Sequence, residues 1–208
     1  PEVGAGHHEH VITGGKESKF GIWEEDAVDA YKLALDGGLR PVGMHMHIGS
    51  GVLEPEPFAK GIEKFLEIAG RVSAELGIDF KFLDIGGGIG VPYKPNDKVL
   101  DLQEFGRIAV GAFKEGVKRY SLGRPTLILE PGRYLVCDST ILLINVNTVK
   151  RTPFKTFVGV DAGFNILLRP AMYGSYHEVA VANNMDGENK ELVTVAGPIC
   201  ESGDLLAR

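Results

Sequence analysis

Cysteine is scarce: Cys137 and Cys200 are the only two among 208 residues. Two thiols make no disulfide framework, so a reducing cytoplasm is the expected setting, and a buried small apolar side chain is the ordinary fate of each. Long hydrophobic runs are missing too. Nothing approaches the roughly 20 apolar residues of a membrane span, so no transmembrane helix is expected. Pro1 to Gly6 has neither the basic start nor the apolar core of a secretory signal. Pro, not Met, stands first, so the natural start is expected to be absent or removed. An excess of basic charge is also lacking: the formal net charge is -6, which argues against a general nucleic-acid or anionic-membrane binder. No internal repeat or low-complexity linker interrupts the chain. What remains is 44% hydrophobic and 24% charged, the balance of a soluble globular protein.

The first two-thirds alternate short apolar runs with long amphipathic segments. Glu24 to Asp36, Pro57 to Leu76 and Leu102 to Tyr120 carry apolar residues at helical spacing, for example Phe58, Ile62, Phe65, Leu66, Ala69 and Val72 in the second. Pro57 suits a first helical turn and Gly77 a C-terminal cap. Between the helices, Pro41 to His47, Phe80 to Ile85 and Thr126 to Glu130 read as parallel strands buried on both faces. Lys19 to Ile22 reads as a weaker fourth. Strand spacing of about forty residues fits successive βα units, in either an open sheet or a closed barrel. After Tyr134 the texture turns to β: Ile141 to Val149, Phe154 to Val160, His177 to Ala182 and Leu192 to Ala196, the last two joined by an Asp186-Gly187 hairpin turn. An all-β module is therefore expected from residue 138 onward.

Polar and glycine-rich motifs sit just after the strands, where parallel α/β folds bind ligands. His45-Met-His47-Ile-Gly-Ser50 places two histidines on one side of a strand. They could be metal ligands, one imidazole could lie on an aromatic cofactor, or both could be satisfied core histidines. Gly86-Gly-Gly88 leaves backbone N–H groups open to a phosphate, although a tight turn would look the same. Glu130-Pro-Gly132-Arg133 aims a carboxylate and a guanidinium at one place, against the commoner fate of a surface ion pair. A flat imidazole, a glycine loop, a carboxylate and a guanidinium suit a phosphorylated aromatic cofactor better than a metal.

In this order the motifs resemble those of the alanine-racemase-like, fold-type III pyridoxal-phosphate (PLP) enzymes. Arg169-Pro-Ala-Met-Tyr173 and Gly197-Pro-Ile-Cys200-Glu201-Ser-Gly-Asp204 are similar to the diaminopimelate decarboxylase versions of the family's later motifs. The resemblance runs from Gly14-Gly-Lys-Glu-Ser-Lys-Phe-Gly21 to the end of the chain. It implies an α/β fold: residues 1–137 as the second half of a PLP-binding (β/α)8 TIM barrel, strands five to eight, and residues 138–208 as part of an all-β, Greek-key-like C-terminal domain. It implies decarboxylation of meso-2,6-diaminopimelate to L-lysine, the last step of lysine biosynthesis. His47 is then expected to stack on the pyridine ring, and Ser50, Gly87 and Gly88 to hold the phosphate. Glu130 is expected to pair with the pyridine nitrogen, with Gly132 and Arg133 completing the cofactor site. Arg133, Arg169, Tyr173 and Glu201 are expected to hold substrate, and Cys200 to donate the proton that replaces CO₂. The resemblance also implies a homodimer with shared active sites. The Schiff-base lysine is expected on an earlier strand. Lys16 and Lys19 match non-catalytic positions, so the stretch by itself is expected to be inert.

Within the family the alternative substrates are arginine, ornithine or a carboxylated polyamine. Outside it, a metal-dependent hydrolase barrel would use His45 and His47, and a non-enzymatic binding module would leave five site-like motifs unexplained. His7-His8-Glu-His10 reads as an exposed loop rather than a metal site.

Overall fold

The computed structural model describes residues 3–6, 12–15, 18–188 and 190–208. The His7-His8-Glu-His10 cluster and Lys16 lie outside the described residues. Two compact units emerge, one of residues 1–91 and 98–138, the other of residues 92–97 and 139–208.

The first unit is built of βα repeats: α1 (Ala27–Asp36), β1 (Gly43–His45), α2 (Glu56–Leu76), β2 (Phe82–Asp84), α3 (Leu102–Arg119), β3 (Thr126–Ile128) and the short α4 (Gly132–Val136). The strands pair in parallel in the order β1-β2-β3, in register His45↔Asp84↔Ile128. Helical periodicity turns one face of α2 inward, burying Phe58, Ile62, Phe65, Leu66, Ala69 and Val72. Against this face lie the fully buried Ile48, Leu83 and Ile85, which follow or occupy the strands. The helix ends follow local chemistry. Gly77 closes α2 at φ 66°, and Asp101 caps α3 by accepting from the Gln103 and Glu104 N–H groups at 2.9 and 3.1 Å. Among the described residues no helix is long and apolar enough to cross a membrane.

Residues 19–22, expected as a strand, form none: residues 19–21 are bends, and Phe20 and Ile22 are 62% and 64% exposed. A strand exists only as part of a ladder, and no described residue pairs with this segment.

The second unit is a four-stranded sheet in the order β4 (Val146–Arg151), β5 (Thr156–Val160), β6 (Val193–Ala196), β7 (Leu205–Ala207), with α5 (Arg169–Tyr173) between β5 and β6. β5 and β6 are parallel, and the two outer pairs are antiparallel. The hairpin expected from His177 to Ala196 does not form. Its turn is present, since the Gly187 N–H donates to the Asn184 carbonyl at 3.1 Å. But β6 already has β5 on one side and β7 on the other, so no ladder edge is left for residues 177–182.

Candidate active site

The three motif segments leave the sheet at the same end, and their backbones keep bonding past the strands. The Met46 N–H donates to the Asp84 carbonyl at 2.9 Å, Ile85 to Ile128 at 3.0 Å, and Glu130 to Gly86 at 3.0 Å. This extra ladder explains the triple glycine without any ligand. A Cβ on Gly86 would lie 2.4 Å from the Met46 carbonyl oxygen, one on Gly87 2.1 Å from that of Glu130, and one on Gly88 2.0 Å from that of Gly49. Gly86 and Gly88 also sit at φ 72° and 94°, which side-chain-bearing residues rarely adopt. Close backbone packing therefore requires glycine at all three positions, whatever they bind.

The two histidines part company. β1 ends at His45, so strand alternation no longer governs His47. His47 is half-buried, and its Nδ1 accepts the Gly87 N–H at 3.2 Å, while the Thr13 hydroxyl donates to its carbonyl at 2.8 Å. Burial, and then the neighbouring His45, pull its pKa below the ordinary value, with the Glu130 carboxylate opposing them. The folded ring thus resists protonation that the unfolded chain accepts. Stability linked to His47 is complete above the ordinary histidine pKa and declines as pH falls from there towards the depressed value. A ring-proton NMR titration should place His47 below about 6.5; a midpoint at or above it would contradict this environment.

His45 turns instead to Glu130, its Nε2–H donating to Oε2 at 3.0 Å. Both are about half exposed, and the nearly buried Asp84 brings a third potential ligand atom within 4.8 Å of theirs. One Asp84 oxygen already accepts the Gly86 N–H at 2.8 Å, closing the turn into the glycines. The potential ligand cluster among the described residues is thus His45, Asp84 and Glu130, and it does not include the His47 of the hydrolase reading. Sequence reasoning assigned Asp84 nothing, although an Asp directly before a glycine run is a turn signal.

Arg133 follows Glu130 by one turn, on α4, and its Nη1 is buried without a hydrogen-bond partner among the described residues. Buried guanidinium nitrogens are normally paired, so this one is suited to an anion. A cavity of about 600 Å³, of small-ligand size, is lined by Thr13, Gly15, Ser18, Trp23, His45 and His47 among others. A more open hollow of about 750 Å³ beside Phe113, Val117 and Leu127 holds none of the motif residues.

The remaining expected residues belong to the second unit. Arg169 and Tyr173 begin and end α5, both half-buried. Cys200 and Glu201 are exposed in the loop before β7. That loop is tied by Asp204, only 2% exposed, whose two oxygens accept the N–H groups of Phe164 and Ile199 at 2.6 and 2.8 Å. Asp204→Ala would strand both donors and should lower stability by about 1–3 kcal/mol. Denaturant unfolding measures this, and no change would sink the loop-anchor role.

Fold and site together define an α/β domain with its polar and glycine-rich motifs at the carboxyl ends of parallel strands. Residues 1–137 match the family described as pyridoxal-dependent decarboxylase, pyridoxal binding domain, and the chain belongs to that family. It is 55% identical to the diaminopimelate decarboxylase of Methanothermobacter thermautotrophicus, an alignment covering 100% of this chain and 48% of that protein. Against the diaminopimelate decarboxylase of Escherichia coli K12 the identity is 41%, over 100% of this chain and 49% of the relative. A crystal structure of diaminopimelate decarboxylase from Helicobacter pylori complexed with L-lysine superposes with a TM-score of 0.84 at 36% identity, over 100% of this chain and 50% of that one. The chain spans about half the length of the curated relatives it matches. The fold class is thus that of the barrel decarboxylases, and the module expected as all-β from residue 138 is a four-stranded sheet that also carries the short helix α5.

Proposed function

We propose that the protein decarboxylates meso-2,6-diaminopimelate to L-lysine with pyridoxal phosphate, and that this chain supplies ring, phosphate and substrate contacts. The observation that carries the reading is the placement of Glu130, a carboxylate presented just past β3 and held by His45. The unpartnered Arg133 Nη1 and the strand-end cavity also fit a phosphorylated aromatic group.

When bound, pyridoxal phosphate supplies an electron sink for the pair left behind as CO₂ departs. Glu130 would hold a proton on the pyridine nitrogen, which strengthens that sink. His47, kept neutral and fixed by Gly87, would present its ring face to the pyridine. Ser50, Gly87 and Gly88 would hold the phosphate. Gly132 and Arg133 complete the cofactor site, Arg133 also facing substrate. Arg169 and Tyr173 would receive the distal carboxylate, and Glu201 the distal ammonium. Cys200 would deliver the proton to the carbon that lost CO₂. A homodimer with shared sites, working in the cytoplasm, completes the proposal.

The test is cofactor loading of the full-length protein. Stoichiometric pyridoxal phosphate with no bound metal is expected. Stoichiometric zinc without the cofactor would shift the reading to the His45–Asp84–Glu130 cluster. Glu201→Ala should also weaken turnover of diaminopimelate severely; unchanged turnover would remove Glu201 from the site.

A further inference from the structure

Arg169 sits in an arrangement that the motifs do not explain. It opens α5, and Gly174 ends that helix at φ 60°, so the chain turns back and brings His177 alongside. Arg169 Nη1 and His177 Nε2 are 3.2 Å apart. A guanidinium has no acceptor, so the arginine donates and the ring nitrogen accepts. On another side, the guanidinium carbon lies 4.6 Å from the centre of the Tyr93 ring. Tyr93 and His177 meet edge to face at 5.5 Å. All three side chains are half-buried.

Tyr93 arrives from a distant part of the sequence. It lies in the Pro92–Asp97 segment, which follows the glycine loop in the chain yet belongs to the second unit. The Asp97 carboxylate closes that turn, accepting the Tyr93 and Lys94 N–H groups at 3.0 and 2.9 Å. These bonds hold the Asp97 carboxyl below the usual carboxylate range. Arginine is long and flexible, and a fork that must be ordered on binding loses affinity that a fixed one keeps. Here one N–H group is taken by His177 and one face by Tyr93, which fixes the plane of the guanidinium.

We propose that Tyr93 and His177 are positioning residues that hold the Arg169 guanidinium ready for a carboxylate, and so set selectivity for an amino acid carrying a distal carboxylate. The proposal rests on the reading of Arg169 as the distal-carboxylate reader. In this proposal the aromatic ring and the imidazole act on substrate binding through Arg169.

Steady-state kinetics of the full-length holoenzyme on meso-diaminopimelate tests both layers. Tyr93→Ala and His177→Ala are each expected to raise KM roughly tenfold while kcat stays within about twofold. Tyr93→Phe keeps the ring and should restore KM. In an Arg169→Ala background, Tyr93→Ala should raise KM no further, because the group it positions is gone. If Arg169→Ala itself leaves KM unchanged, the reading of Arg169 fails. If Arg169→Ala raises KM but the Tyr93 and His177 variants do not, the positioning proposal alone fails. A fall in kcat with constant KM would mark a merely structural role and overturn it. So would a further rise in KM in the Arg169→Ala background.

Discussion

Glu130→Gln in the full-length, cofactor-loaded protein is expected to lower kcat roughly 100- to 1000-fold with little change in KM. Glutamine has nearly the same shape and keeps an oxygen for the His45 Nε2–H, now 3.0 Å from Glu130 Oε2. What it loses is the negative charge, and only a charge holds a proton on a pyridine nitrogen at neutral pH. The electron sink matters in the transition state, when the pair from the broken C–C bond must be accepted, and much less in substrate binding. The deficit should therefore fall on kcat. Steady-state assay of CO₂ release at saturating substrate measures it. A kcat within about twofold of the parent would take Glu130 out of the mechanism.

Cys200→Ala should be the second large loss, roughly 100-fold in kcat, the usual size of a general-acid contribution. The thiol is exposed in a loop whose geometry Asp204 enforces from below, so removing the sulfur should cost chemistry and leave the fold alone. Alkylation of the parent protein should mimic the variant, and the variant should be indifferent to the reagent. Retention of full kcat by Cys200→Ala would mean that the proton comes from elsewhere.

The regular parts of the molecule could be read from the sequence because one physical cause dominated each. Phe58, Ile62, Phe65 and Leu66 repeat at helical spacing because α2 buries a single face, and Gly77 stops that helix as its position promised. The strand cores around Met44, Leu83 and Leu127 are apolar because helices pack against them. Short edges were harder. Residues 19–22 and 177–182 have strand composition, but a ladder partner far away in sequence decides whether a strand exists, and neither segment has one among the described residues. β7, only three residues long, offered no pattern to detect. The site was legible as motifs and not as contacts. His45 and His47 look equivalent at i and i+2, yet β1 ends between them and sends one ring to Glu130 and the other to Gly87. The triple glycine pointed to phosphate, whereas the carbonyls of Met46, Glu130 and Gly49 already demand it. Tyr93 and His177 carried no motif at all, because their meaning arises only where the Pro92–Asp97 turn meets α5 within one unit.

The most direct test of the account is product analysis of the full-length, cofactor-loaded protein offered meso-diaminopimelate, lysine, ornithine, arginine and a carboxylated polyamine separately. The account predicts CO₂ and L-lysine from meso-diaminopimelate, at a kcat/KM far above that for any substrate lacking the distal carboxylate. Preferred turnover of ornithine, arginine or the polyamine, or no CO₂ from any of them, would contradict it.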